Sequence, residues 1–178
     1  MSAESAPILV LGVGNALMGD DGVGGRVVAE LLARRGAGSI DLPAGVELVD
    51  GGALGPALLP WLAGASGLVL VDAVLADEPP GTVAVWRDEQ VAAAPASTSG
   101  GVDELLAAGR VARSLPAAIS LVGIVPGPHA PGDRLGADVA AALPAAIEAT
   151  LSEVRRVDVT TRGAGSAARH GEMAGVTA

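Results

Sequence analysis

The sequence predicts an α/β fold: a three-layer sandwich with a mainly parallel, twisted sheet of about five strands, one antiparallel edge strand, and helices on both faces. Short apolar runs alternate with stretches whose apolar residues recur at helical spacing, which is typical of a parallel sheet built from right-handed crossovers. One further apolar run follows the turn signal Pro79-Pro80-Gly81 too closely for a crossover helix, so it predicts the antiparallel strand.

The first half of the chain predicts the order βαβαβ. Four consecutive apolar residues open a buried strand over 8–13, and the apolar spacing that follows indicates a helix over 22–35. A strand over 46–50, a helix over 55–63 and a buried strand over 68–74 come next.

The second half begins with the antiparallel strand, over 82–87. A small, polar, glycine-ended segment over 90–101 predicts a surface loop before a helix over 102–114, and residues 119–125 predict another buried strand. Apolar residues in steps of four predict a last helix over 137–154, which Pro144 is expected to kink.

Length and composition limit the function classes. With 178 residues, 50% of them hydrophobic, we expect one domain over 1–157, followed by a glycine-, alanine- and arginine-rich tail over 158–178 that is predicted to be disordered. There is no apolar run of the roughly 20 residues that a membrane span needs and no secretory pattern at the N-terminus, so a cytoplasmic location is expected.

Charge and missing residue types exclude other classes. A net charge of -9, scattered arginines and the lack of Phe and Tyr argue against a nucleic-acid partner. The absence of cysteine excludes disulfides, thiolate metal sites and a cysteine nucleophile. Any metal must therefore be held by oxygen or imidazole.

Acidic residues follow three of the predicted parallel strands. Asp20 and Asp21 come after the first strand, Asp50 ends the second, and Asp72 ends the third. Ligands of open parallel sheets bind beyond the carboxyl ends of the strands, so these acids are expected to share one site.

Each acid also has a purely structural interpretation. Either Asp20 or Asp21 is expected to cap the following helix, and Asp50 before Gly51-Gly52 can bond its own backbone in a turn. A buried Asp72 can be satisfied by backbone amides instead of a metal.

The glycines after the first strand begin like a dinucleotide fingerprint. Leu17 stands where the third glycine would be, and two acids follow where a pyrophosphate would bind, which argues against NAD. The hypothesis of a nucleotide-binding enzyme therefore rests only on an incomplete glycine fingerprint.

The order of several motifs resembles the nickel-iron hydrogenase maturation endopeptidases, small α/β proteins that trim the C-terminal extension from the hydrogenase large-subunit precursor. These motifs are, in order, LGVGNALMGDDGVG, VELVDGGALGPALLP, LVLVDAV, PPGTVAVWRDE and LVGIVPG. The resemblance covers residues 7–154 and implies a metal-dependent endopeptidase with nickel, supplied by the precursor, as recognition metal and candidate catalytic metal.

The resemblance also implies roles for individual residues. Asp21 and Asp72 match the nickel-contacting carboxylates that would carry catalysis. The substrate would be contacted by a further group, consisting of Asn15 and the motif Asp50-Gly51-Gly52.

The third ligand that the family uses, a histidine before the mid-chain helix, is missing. Thr98 or Ser99 stands in its place, so the candidates for a third metal ligand are His129, which follows a strand end, and Ser99 or Thr98 acting through water. Two functions stay open: an endopeptidase acting after nickel insertion, or a non-catalytic docking or maturation factor for a hydrogenase large subunit.

Overall fold

A computed structural model describes residues 6–173 of the chain, and the side chains of residues 6–164. Its centre is a five-stranded sheet in the order β2-β1-β3-β5-β4. The strands are β1 (Ile8–Val13), β2 (Val46–Gly52), β3 (Gly67–Ala73), β4 (Val83–Arg87) and β5 (Ala118–Ile124). All pairs are parallel except β4 with β5, which confirms the predicted antiparallel edge strand.

Helices cover both faces of the sheet, as predicted. They are α1 (Val23–Gly36), α2 (Leu59–Leu62), α3 (Gly101–Ala112) and α4 (Ala137–Met173). Short 3-10 turns occupy Gly19–Gly22, Gly55–Leu58 and Asp88–Ala93. None of the helices within 6–173 combines the length and apolar character needed to cross a membrane.

Two apolar cores lie on either side of the sheet. One joins α1 and α4 to the sheet through residues such as Val27, Val71 and Ile147. The other joins α2 and α3 to the opposite face through residues such as Leu11, Leu62 and Leu105. The alternating faces of the strands thus bury apolar side chains in both directions, which is why the strand segments read as continuous apolar runs.

Besides the side chains of this core, close backbone contacts hold helix α1 against the sheet. A Cβ at Gly24 would lie 2.3 Å from the carbonyl oxygens of Val13 and Val71, and a Cβ at Gly12 would lie 2.3 Å from the carbonyl oxygen of Gly24. Only glycine permits this approach, so the two positions fix α1 against β1 and β3.

Three predicted segments differ from the structure. Residues 55–63 form a 3-10 turn and a four-residue helix because Pro56 and Pro60 interrupt continuous helical hydrogen bonding. Part of the predicted loop 90–101 is a 3-10 turn. The helix predicted to end at 154 is a single element that runs through Pro144 to Met173.

The helix extends to Met173, into the segment 158–178 for which the sequence predicts a disordered tail, and that disorder stays a prediction. Val157 is fully buried, and one of its methyl carbons fills the space where a Cβ of Gly67 would lie. This contact carries the helix past the start of β3, and no proline follows to end it. The remainder of the predicted tail, 174–178, lies outside the described residues.

Candidate active site

Asp72 lies at the carboxyl end of β3 and is completely buried. Its Oδ1 accepts a hydrogen bond from the Ala73 amide at 2.8 Å, whereas its Oδ2 has no hydrogen-bond partner among the described residues. The pKa of Asp72 is raised from 3.8 to about 7, chiefly because burial penalises the charged form; the negative charges of Asp21 and Asp103 contribute to the rise, and Ser97 and the Ala73 amide oppose it.

Ser97 faces the same carboxyl group without completing a hydrogen bond. Its hydroxyl favours the charged form of Asp72, yet Ser97 Oγ and Asp72 Oδ2 are both buried without a partner of hydrogen-bonding geometry. The Ser97 amide instead donates to Asp103 Oδ2 at 3.0 Å. The free Oδ2 is therefore available to a ligand or a proton.

Asp21 lies in the 3-10 turn between β1 and α1, with 2% of its surface exposed. Its Oδ2 accepts a hydrogen bond from the Asn15 amide at 2.8 Å, and its Oδ1 accepts a hydrogen bond from the Thr98 hydroxyl. The Thr98 hydroxyl also lies 3.3 Å from the carbonyl oxygen of Ala73, next to Asp72.

The backbone of Asp21 and the carboxylate of Asp72 meet at Gly14, and the charge of Asp21 acts on Asp72. A Cβ at Gly14 would lie 1.8 Å from the carbonyl oxygen of Asp21 and 3.7 Å from Asp72 Oδ1. The φ angle of Gly14 is 130°, a value that residues with a side chain rarely adopt. The predicted convergence of the acids from the first and third strands is thus present, and no salt bridge engages either one within the described part of the chain.

Asp20 does not share the surroundings of Asp21. Its Oδ2 accepts from the Gly127 amide at 2.8 Å and its Oδ1 from the Gly136 amide at 2.6 Å. The prediction that one of these two acids caps α1 is wrong, because Gly22 is the N-cap and no side-chain hydrogen bond caps the helix.

Asp50 adopts the turn conformation that was the alternative to a direct role. Its Oδ1 accepts from the Gly52 amide at 3.0 Å, and the side chain is exposed. The carboxyl group borders a groove of about 440 Å³ that also reaches Gly14, Leu17, Arg26 and Gly52. Gly51 is buried beneath this groove, against Leu11 and Leu58.

Asn15 is half-buried beside the carboxylates. Its amide binds Asp21, and its side-chain oxygen accepts from the Leu17 amide at 3.0 Å. The backbone and side chain of Asn15 thus shape the turn after β1, and its predicted contact with substrate stays a prediction.

The two proposed third ligands are not brought to the carboxylates. His129 is exposed in the loop after β5, and Ser99 is exposed before α3; neither forms a hydrogen bond or ion pair with Asp21 or Asp72 among the side chains described up to residue 164. Thr98, the residue next to Ser99, makes the contact instead.

The donor set is accordingly small. Among the side chains that the structure describes, those of residues 6–164, no group of three or more His, Cys, Asp or Glu is arranged to hold a metal ion. Two buried carboxylates, one with a free oxygen, can complete the coordination of a divalent metal that brings other ligands with it, but they do not form a cage by themselves.

Sequence reasoning missed Ser97 and Asp103, both of which act on Asp72. Asp103 lies in the first turn of α3, where an acid is normally explained by the helix dipole. The signal that could have identified them is the pairing of Val74 with Ser97, which extends β3 onto the loop before α3.

Comparisons with known proteins place the chain in a family. Residues 26–153 match the family profile described as HycI, hydrogenase maturation protease. The Hydrogenase 2 maturation protease of Escherichia coli K12 is 35% identical over 157 residues, which cover 85% of this chain and 93% of that protein. The hydrogenase expression/formation protein HupD of Rhodobacter capsulatus is 37% identical over 124 residues, which cover 67% of this chain and 57% of that protein.

Solved structures agree with these sequence matches. The hydrogenase maturating endopeptidase HybD of Escherichia coli superposes with a TM-score of 0.74 at 35% identity, covering 84% of this chain and 93% of HybD. The [NiFe] hydrogenase maturation protease HybD of Thermococcus kodakarensis has a TM-score of 0.62 at 28% identity, covering 80% of this chain and 95% of its own. By its fold, its motifs and these matches, the chain belongs to the hydrogenase maturation protease family.

Proposed function

We propose that this protein is an endopeptidase that removes the C-terminal extension of a nickel-iron hydrogenase large-subunit precursor after nickel insertion. The observation that carries the proposal is the proximity of two buried carboxylates, Asp21 and Asp72, in a member of the maturation protease family. The groove bordered by Gly14 and Asp50 offers a path for the peptide chain next to the turn that carries Asp21.

In this proposal nickel is part of the substrate. Asp21 and Asp72 would contact a metal that already has ligands in the precursor, which suits a site whose described residues join no third His, Cys, Asp or Glu to the two carboxylates. Nickel held there would supply Lewis-acid chemistry toward the scissile carbonyl.

Nickel contact would be coupled to the protonation of Asp72. In the metal-free protein its carboxyl group, with a pKa of about 7, is present in both protonation states near neutral pH, so contact with nickel would release a proton from it. Among the described residues its Oδ2 has no hydrogen-bond partner, so this oxygen is the candidate metal contact. Asp21, held by Asn15 and Thr98, stays in a fixed orientation beside it.

The test is cleavage of purified precursor. We expect the protein to shorten the nickel-loaded precursor and to leave the nickel-free precursor intact, and Asp72→Asn to abolish cleavage. Asp77→Asn, the same chemical change on an exposed carboxyl group after β3, serves as the matched control. Equal cleavage of loaded and unloaded precursor would rule out nickel-gated recognition.

The Thr98 contact favours a second function, that of a non-catalytic docking factor. The Thr98 hydroxyl occupies Asp21 Oδ1, and both carboxylates are almost without solvent exposure. A protein that binds the precursor without cutting it would need neither acid accessible. If Asp72→Ala supports maturation in cells while deletion of the whole protein abolishes it, this second function is favoured over proteolysis.

The proposal also includes a cytoplasmic location and no nucleic-acid partner. The net charge of -9 and the scattered arginines support the second of these. Cell fractionation with an antibody to the protein tests the location, and the electrophoretic mobility of labelled DNA and RNA tests the partner.

A further inference from the structure

The loop between β5 and α4 is attached to the turn that carries Asp21. The Gly19 amide donates to the carbonyl oxygen of Gly132 at 2.8 Å, and the Gly132 amide donates to the carbonyl oxygen of Leu17 at 2.9 Å. A backbone bridge between Met18 and Gly132 completes this contact. The loop and the turn are therefore joined at the middle of the loop.

Asp20 fastens the two ends of the same loop. Its carboxylate is 9% exposed, and its two oxygens accept from the amides of Gly127, at the start of the loop, and Gly136, at its end. A Cβ at either glycine would lie 3.1 to 3.2 Å from an Asp20 oxygen, so the loop backbone fits closely around the carboxylate. One side chain thus satisfies two amides that are nine residues apart.

The sheet order places this attachment next to the candidate active site. The loop starts at the end of β5 and reaches the turn that follows β1, and these two strands are the neighbours of β3 on either side. The loop must therefore pass the end of β3, where Asp72 lies. In the turn, Asp21 follows Asp20 directly, and its amide donates to the carbonyl oxygen of Met18 at 3.3 Å.

We propose that Asp20 is a positioning residue, which holds Asp21 in place against Asp72 by fastening the β5–α4 loop to the turn between β1 and α1. The catalytic part of this inference rests on the proposed endopeptidase function. Asp20 acts through the backbone of the turn, because its carboxylate points to Gly127 and Gly136, whereas that of Asp21 points to Asn15 and Thr98. The two adjacent acids thus have different roles: Asp20 fixes the loop, and Asp21 lies beside Asp72.

The test compares Asp20→Asn with the wild type. The substitution puts an amide NH2 group opposite a loop amide, so one of the two hydrogen bonds is lost. We expect kcat for cleavage of nickel-loaded precursor to fall about 10- to 100-fold with KM changed by less than about threefold, as for other groups that orient a catalytic residue. Asp41→Asn, on an exposed acid between α1 and β2, is the matched control.

Amide hydrogen exchange supplies a readout that does not depend on proteolysis. In Asp20→Asn we expect faster exchange at Gly127 or Gly136 and also at Asn15, whose amide hydrogen bond reports the position of Asp21. Gly136→Ala approaches the same contact from the loop side and is expected to accelerate exchange at Asn15 as well. If Asn15 keeps wild-type protection in both variants, the inference is overturned.

The two proposals can fail separately. If the wild-type protein does not cleave the precursor, the proposed function fails, and exchange at Asn15 still decides whether Asp20 positions Asp21. If the wild type cleaves and Asp20→Asn cleaves equally fast, Asp20 has no positioning role in the reaction even though the family function stands.

Discussion

Replacement of Asp72 by asparagine is expected to change how stability depends on pH. Asp72 has a pKa of about 7 in the folded protein against 3.8 for an ordinary aspartate, because burial penalises its charged form. A raised acid pKa favours the folded state at low pH, and this contribution is lost as the pH rises through about 7. Three pKa units correspond to about 4 kcal/mol.

Most of this change in unfolding free energy falls within a pH range in which unfolding can be measured. Between pH 4.5 and 8.5 the wild type is expected to lose about 3 kcal/mol of unfolding free energy that the variant keeps, because asparagine does not ionise. The quantity to compare is the change in the difference between the two proteins, since an orphaned NH2 group lowers the stability of the variant equally at all pH values.

The assay is urea denaturation at a series of pH values with a metal chelator present, so that bound metal does not stabilise the charged carboxylate. Asp77→Asn is the control and should follow the wild-type pH profile. If Asp72→Asn also follows the wild-type profile, the reasoning from burial is refuted.

Three other substitutions test the packing and hydrogen bonding around the site. Gly14→Ala should destabilise the protein by about 3 kcal/mol or more, because the new Cβ would clash with the Asp21 carbonyl oxygen and the φ angle of residue 14 is unfavourable for alanine. Gly38→Ala is the control: residue 38 also has a positive φ but lies in open space, so this substitution should destabilise the protein by about 1 kcal/mol. Thr98→Val should cost about 1 to 3 kcal/mol in thermal or urea unfolding, because Asp21 Oδ1 loses its donor; an unchanged midpoint would show that the contact does not stabilise the fold. Glu153→Gln should lower the free energy of unfolding by about 2 kcal/mol at pH 7, because Glu153 is buried between Arg87 and Arg156. The pKa of Glu153 is lowered, so the difference in stability between variant and wild type should shrink as the pH falls below 4.5. An equal difference at pH 3 and pH 7 would contradict this.

The sequence was sufficient for the order of elements along the chain and for the edge where the acids meet. Apolar runs separated by helical spacing specify crossovers, and the short connection at Pro79-Pro80-Gly81 leaves room only for an antiparallel strand. Asp72 ends β3 and Asp21 lies in the turn after β1, so both acids lie at one edge because β1 and β3 are neighbours.

The hydrogen-bond partners of the acids at the site could not be predicted from the sequence in the same way. The amides that bind Asp20 are 107 and 116 residues away along the chain, and Thr98 is 77 residues from Asp21. Sequence spacing carries no information on such contacts, so a local cap was the natural expectation for one of the two adjacent acids. The predicted end of α4 at residue 154 was wrong for a related reason, because Val157 is held by a contact with Gly67, ninety residues earlier.

The direct contact of α1 with the strand backbones has a consequence for divergence within the family. Because backbone contacts at Gly12 and Gly24 help to set the distance of this helix from β1 and β3, the turn leading into it depends less on which side chains surround it. Loops around the groove can therefore vary to suit different precursors while the two carboxylates keep their spacing. Substrate preference can therefore change through these loops while the positions of Asp21 and Asp72 stay the same.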